Sequence, residues 1–254
     1  MKLLQINVWQ GRLLRPLLDL VKHESPDIIC AQEIYTYPEP IAPTSPWNYF
    51  RTVERIAELG GYQYVHFALS TTFTMADHPL GYGNAILSRY PLHDASVHYT
   101  GGPGPLTQNH LAAYDSNATR NFQHVVVDAG STNINLINHH GHWVNQPLGD
   151  DASAHRLQLV AKFVAGLTGP VIVTGDFNLS PQSPAMKQFL ETTGLTDQVT
   201  TAGTITTSLS AAHYLSTPIV CDYILTNPEL TVSSLHASDR LVSDHRAIIA
   251  EIDA

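Results

Sequence analysis

The chain has 254 residues, 43% of them hydrophobic, a formal net charge of −9 and only 13 Lys and Arg. That size and apolar content can build a large core in one α/β unit, and no repeat, charge block or low-complexity tract argues for an array or for disorder. The basic residues are few and scattered, so the basic face on which sequence-independent nucleic-acid binding draws is missing from the composition; this weighs against a nuclease without excluding one, because net charge is not local field.

Met1-Lys2 leads straight into the apolar run Leu3-Leu4-Gln5-Ile6, with no secretory leader legible before it. No run approaches the ~18 apolar residues that span a bilayer. A soluble, cytoplasmic protein without a transmembrane segment is the expectation, although a chain trimmed of its leader would read the same. Arg12–His23 carries Leu13, Leu14, Leu17, Leu18 and Val21 at helical spacing and stops at Ser25-Pro26. Asp27-Ile28-Ile29-Cys30-Ala31 reads as a strand, the Pro-rich stretch Pro38–Pro46 as a loop, and Val53–Leu59 as a helix closed by Gly60-Gly61. Strands are expected near Tyr62–Phe67, Asn84–Ser88, Ala95–Tyr99, Phe122–Asp128 and Asn133–Asn138. Between them, Thr100–Asn121 is rich in Gly and Pro and lacks periodicity, which predicts a loop over the site that carries selectivity. Helices over Ala152–Leu167, stopped by Gly169-Pro170, and Ser183–Thr192 flank the strand Val171–Thr174. The last strands fall near Asp222–Thr226, Thr231–Leu235 and Ala247–Ile252. Adjacent strands with helices interspersed fit two packed sheets covered by helices. Cys30 and Cys221 lie in strand-like runs and read as small buried hydrophobes, not as disulfide partners or reactive thiols.

Short polar clusters sit at the ends of these runs: Asn7, Gln32-Glu33, Asn138-His139-His140, Gly175-Asp176-Phe177-Asn178, Asp222 and Ser243-Asp244-His245. A buried Glu33 needs a partner, since an unpaired buried charge is costly, and a hard divalent cation is one such partner. Asp176 and Asn178 are two apart and in extended geometry face the same way; a plain Asx-turn is the alternative. His139, His140 and His142 crowd together as zinc ligands sometimes do, but the binuclear pattern His-x-His-x-Asp-His needs an acid where Val144 stands. His139 points away from His140 if the strand continues, and His142 and Trp143 are expected at the rim.

Six clusters in this order resemble the endonuclease/exonuclease/phosphatase superfamily, which includes pancreatic-type deoxyribonucleases, abasic-site endonucleases, neutral sphingomyelinases and inositol polyphosphate 5-phosphatases. The resemblance runs from Leu3 to about Ile252. It implies an α/β fold, a four-layer sandwich of two packed mixed β-sheets flanked by helices, forming a single catalytic domain over residues 1–254. It also implies Mg²⁺, or Mn²⁺ in its place, on Glu33, with Asn7 beside it and Asp244 close by or bridged through water. Asp176 is then the general base or water-orienting group, Asn178 a positioning amide, and His140 the histidine at its strand's end. His245 is the protonated group at the phosphate, oriented by Asp222. Plain alternatives are a salt bridge for Glu33, a turn cap for Asn7 and a strand-edge acid for Asp222. Arg120, ahead of the strand 122–128, is a candidate substrate-phosphate contact or, equally, a surface charge. One departure is Gly81-Tyr82-Gly83-Asn84, where the pancreatic-type nucleases carry a glutamate. The implied activity is hydrolysis of a phosphodiester or phosphomonoester by metal-assisted in-line attack of water, with no covalent enzyme intermediate. Nucleic acid, a lipid headgroup and a small phosphate ester stay open as substrate, and the sequence does not give the oligomeric state. The rival class is a catalytically silent module that holds a phosphorylated ligand.

Overall fold

A computed structural model describes residues 1–37, 39, 42, 45–75, 78–108, 119–207 and 219–253. Its first sheet joins β1 (Lys2–Asn7), β2 (Ile28–Thr36), β3 (Tyr64–Met75), β4 (His78–Ser88), β6 (Leu106–Gln108), β12 (Thr231–Ala237) and β13 (Ile248–Asp253), in the order β12-β13-β1-β2-β4-β3-β6. The second joins β5 (Leu92–Tyr99), β7 (Asn121–Asp128), β8 (Asn133–His140), β9 (Val171–Asp176), β10 (Thr196–Asp197) and β11 (Asp222–Thr226), in the order β10-β11-β9-β8-β7-β5. Both are mixed: β1 runs parallel to β2 and β8 to β9, while β13, β4, β7 and β11 pair antiparallel to their neighbours.

Period-two alternation builds the layers. Leu4, Ile6, Ile29 and Leu87 point outward from the first sheet and pack under α1 (Leu14–Glu24) and α2 (Thr52–Gly60), against Leu17, Leu20, Val53 and Ile56. Ile137, Val171, Val173 and Tyr223 point outward from the second and pack under α3 (Asp151–Val164) and α4 (Pro184–Thr193), against Leu157, Val160, Met186 and Phe189. The inward residues Leu3, Ile28, Ile86, Ile134, Leu136, Ile172, Ile224 and Ile248 meet between the sheets. Helix, sheet, sheet, helix is the expected four-layer sandwich.

Along each central strand the inward face turns from apolar to polar toward one end. β1 reads Leu3, Gln5, Asn7; β8 reads Ile134, Leu136, Asn138, His140; β9 reads Ile172, Thr174, Asp176. The middle tier is a buried amide seam that spans the two sheets. Gln5 and Gln32 exchange side-chain bonds of 2.7 and 3.0 Å, Gln32 donates to Asn138 Oδ1 at 2.5 Å, and Asn138 donates to Gln123 Oε1 at 3.1 Å. Burying these amides is tolerable because they are paired, since each orphaned group would cost about 1–3 kcal/mol. Above the seam lies the polar end of the cleft.

Several boundaries differ from expectation. The Asn84–Ser88 strand extends back to His78 and the Tyr62–Phe67 strand runs on to Met75, so the two form a long antiparallel pair. Gly81 and Gly83 lack the branched side chains that announce a strand, which hid its first half. α3 ends at Val164 and not at the expected Leu167, and β10 and the short α5 (Gln198–Thr201) had no legible period. Of the loop expected over Thr100–Asn121, Leu106–Gln108 is a strand parallel to β3, and residues 109–118 lie outside the described residues. Most of Pro38–Pro46 lies outside them too.

Candidate active site

The polar ends of β1, β2, β8, β9 and β11 converge with the segment that precedes β13. At the centre, Asp222 is fully buried and its Oδ2 lies 2.8 Å from Nδ1 of His245. Gln5 Nε2 donates to the other oxygen of Asp222 at 3.3 Å, which ties the carboxylate to the amide seam. Asp176 pairs with Asp222 across β9 and β11, and its Oδ2 stands 3.8 Å from His245 Nε2. Two carboxylates therefore flank one imidazole. Burial works against charge on His245, but the fields of Asp222 and Asp176 outweigh it and hold the ring's pKa well above the ordinary imidazole range. Burial pushes Asp176 the other way for an acid, up to about 6, with His245 opposing and Asp222 reinforcing the shift.

Asp176 is fixed from two sides. Asn7 Nδ2 donates to its Oδ2 at 3.0 Å, and the backbone N–H of Asn178 donates to its Oδ1 at 2.9 Å. The second bond is an Asx-turn, so the extended geometry expected for Asp176 and Asn178 is corrected. Asn178 adopts a left-handed backbone, φ 55°, and sends its amide to the carbonyl of Gly141 at 3.3 Å. Gly175 is required for a separate reason: a Cβ there would overlap the carbonyl oxygen of His139 on the neighbouring strand. Gly175→Ala is expected to destabilise by about 1–3 kcal/mol, the range for overpacking, and a urea melt with an unchanged midpoint would contradict this close approach.

Glu33 reaches the cleft through a β-bulge. β2 pairs Ala31 with Ala85 and Ile34 with Gly83, so two residues of β2 oppose Asn84 alone, and Glu33 takes φ 54°. Its side chain is 20% exposed, with His140 Nε2 at 3.7 Å. Burial raises the pKa of Glu33; Arg120 opposes that shift and Asp244 adds to it. Among the described residues Trp9, Gln10, Glu33 and Asn178 all hold positive φ at or beside this cleft. Non-glycine residues in that region cost roughly 1–2 kcal/mol each, and such outliers gather where a site dictates the backbone.

Arg120 is 4% exposed, which removes the surface-charge reading. Its Nη1 lies 2.6 and 2.5 Å from the ring nitrogens of His140, and its buried Nε has no hydrogen-bond partner among the described residues. A guanidinium can only donate and a neutral imidazole has one acceptor nitrogen, so one of the two contacts is a hydrogen bond to a neutral ring; burial first and Arg120 second push the His140 pKa well down. A neutral His140 ring gives Glu33 no charge partner at 3.7 Å, and the cations that favour its ionised form are Arg120 and His245. His139 points to the opposite face, edge-on to Phe177, with its pKa lowered by burial to about 3. Trp143, 51% exposed, and Trp9 line a pocket of ≈ 260 Å³ together with Asn178, Cys221, Asp244 and His245.

Cys221 is the residue that the sequence reading missed. It is free and buried, as expected, yet its thiol lies 3.4 Å from Asp222 Oδ2 and 4.0 Å from His245 Nδ1. Ligand atoms of Asp176, Cys221, Asp222 and His245 all fall within 4.8 Å of one another, the one such group of metal-ligating side chains found among the described residues. A divalent ion fits a cluster of this size.

An Asp–His pair beside a second acid, with a buried arginine on the neighbouring His140, sits at the polar end of a four-layer sandwich. The chain belongs to the endonuclease/exonuclease/phosphatase family, whose model matches residues 4–245. Solved structures carry the same fold at low identity. A family protein from Leptotrichia buccalis is 18% identical with a TM-score of 0.70, covering 100% of both chains. Mannosyl-6-phosphatase from Bacteroides thetaiotaomicron is 15% identical with a TM-score of 0.67, again over 100% of both. Beta toxin from Staphylococcus aureus is 17% identical with a TM-score of 0.62, over 99% of each. No curated protein sequence matches the chain. No helix among the described residues is long and apolar enough to cross a membrane.

Proposed function

We propose that the chain is a Mg²⁺-dependent phosphoesterase, a single catalytic domain over residues 1–254 that hydrolyses a phosphodiester or phosphomonoester by in-line attack of water. The observation that carries this reading is the constellation around His245: its Nδ1 2.8 Å from Asp222 Oδ2, its Nε2 3.8 Å from Asp176 Oδ2, and Arg120 buried against His140. Asp176 takes the proton of the attacking water, its position set by Asn7 and by the Asn178 turn. His245 and Arg120 donate to phosphoryl oxygens, where negative charge concentrates as the bond breaks. The Nε of Arg120, without a partner among the described residues, can do so while Nη1 contacts the His140 ring. Asn178 steadies the loop that carries Asp176.

Asn7, Glu33 and Asp244 supply oxygen donors, the set a hard cation such as Mg²⁺ prefers, with Mn²⁺ as an alternative. Two features fit that assignment: Glu33 is an acid whose burial already disfavours its charge, and Asp244 lies close enough to disfavour it further. When bound, the ion supplies Lewis-acid stabilisation of the ester's oxygens.

A turnover panel of plasmid DNA, abasic DNA, RNA, sphingomyelin, inositol phosphates and mannose 6-phosphate, with and without EDTA, tests the reading. The last substrate is included because a mannosyl-6-phosphatase shares the fold. Hydrolysis of at least one ester that EDTA abolishes and excess Mg²⁺ restores is the expected result. Ligand binding with no turnover of any ester would identify a silent module instead, and activity indifferent to EDTA would remove the metal.

A further inference from the structure

We propose that Cys221, His245, Asp222 and Asp176 form a site for a thiophilic divalent cation of the zinc class, and that filling it takes the Asp222–His245 pair out of use. The binding half stands on geometry alone; the inhibitory half rests on the phosphoesterase reading. The four ligand atoms lie within 4.8 Å of one another. Tetrahedral zinc, with bonds of ~2.0–2.3 Å, needs its ligand atoms about 3.3–3.8 Å apart. For an ion held by His245 Nδ1 the separations present bracket that span: 2.8 Å from Nδ1 to Asp222 Oδ2, 3.4 Å from Cys221 Sγ to Asp222 Oδ2 and 4.0 Å from Sγ to Nδ1, with Asp176 completing the group inside 4.8 Å. Small side-chain rotations close the set on an ion.

Donor chemistry separates this site from the one assigned to Mg²⁺. One sulfur, one imidazole nitrogen and two carboxylates select a borderline-soft ion, whereas Asn7, Glu33 and Asp244 offer oxygen only. Cys221 is a free, buried thiol beside Asp222 Oδ2. On binding, the S–H bond breaks, its proton leaves to solvent, and a sulfur–metal bond forms. An ion held there occupies His245 and Asp176, the two side chains assigned to the phosphoryl group and the attacking water, so neither is left to act on an ester. The pocket that admits an ester reaches the same place, because Cys221, Asp244 and His245 all line it.

Cobalt(II) reports the sulfur ligand directly through a sulfur-to-cobalt charge-transfer absorption. The wild-type protein is expected to show that band and to bind one Zn²⁺ per chain by calorimetry in excess Mg²⁺. Cys30, fully buried in the core between the sheets, cannot supply the sulfur without unfolding. In Cys221→Ser and Cys221→Ala, each checked for a native melt, the band should vanish and Zn²⁺ affinity should fall at least about tenfold. Zn²⁺ should suppress the Mg²⁺-supported turnover of wild type at concentrations that leave a larger fraction of each variant's own activity. A folded wild type without the band, or equal Zn²⁺ affinity in all three proteins, would overturn the site. A Cys221-dependent band with turnover untouched by Zn²⁺ would overturn its inhibitory role. The same band in a protein that hydrolyses no ester would leave the metal site standing and remove the phosphoesterase reading.

Discussion

Asp176→Asn and His245→Ala are each expected to lower kcat by about 10²–10⁴-fold, equivalent to roughly 3–5.5 kcal/mol of transition-state stabilisation, while KM changes far less. Both side chains act on charge that appears mainly in the transition state, Asp176 on the proton leaving the water and His245 on the phosphoryl oxygens. Asp222→Asn should be milder than His245→Ala. It discharges the partner that raises the His245 pKa, yet the ring remains and the seam through Gln5 still holds the amide in place. The pH profile follows from the same shifts. A base must be ionised, so turnover is lost as pH falls through the Asp176 pKa, raised to about 6; an imidazolium must keep its proton, so turnover is lost again as pH rises through the elevated His245 pKa. Bound Mg²⁺ moves both limbs to lower pH without changing their order. Steady-state kinetics on the three variants decide the assignment: Asp222→Asn as damaging as His245→Ala, or near-normal kcat in Asp176→Asn, would mean that these roles are wrong within the right family.

The fold was legible because its central strands carry their own pattern. Leu3 and Leu4 alternate between two cores, and the polar termini of β1, β8 and β9 mark the end of the sandwich where they meet. Asp222 was placed from its neighbours Tyr223, Ile224 and Leu225, and it sits beside Asp176 as the antiparallel pairing requires. What strand arithmetic could not give was the placement of Glu33. Strict alternation puts residue 33 with Ile29 and Ala31 on the helix-covered face, and only the bulge before Ile34 turns it into the cleft. Asn178 was misplaced for a related reason: a left-handed residue breaks the two-residue period, and nothing in Asp-Phe-Asn distinguishes an Asx-turn from a continuing strand. Cys221 escaped because a buried cysteine in a strand-like run reads as a small hydrophobe, and Gln5 because its partner lies far along the chain. Gln5 meets Asp222 across 217 positions, and its apolar neighbours make it look like an accident within a strand.

Glu33→Gln is expected to nearly abolish turnover and to reverse its effect on stability when metal is added. The amide keeps the shape and loses the charge, so Mg²⁺ affinity by titration calorimetry should fall sharply while the φ 54° backbone carries the same burden in both proteins. In EDTA the wild type holds a partly buried carboxylate whose ionisation burial opposes and Asp244 opposes further. Neutral Gln removes that penalty, so the variant should melt at or above the wild-type temperature. In saturating Mg²⁺ the order should invert. A ligand at one hundred times its Kd adds about 2.7 kcal/mol to the protein that binds it and little to one that does not. The inversion separates two explanations that activity alone would merge: a Glu33 that matters only as a structural acid would leave the variant less stable in both buffers. Unchanged Mg²⁺ affinity together with unchanged turnover would take Glu33 out of the metal site and leave Asp244 as the one carboxylate of the assigned set.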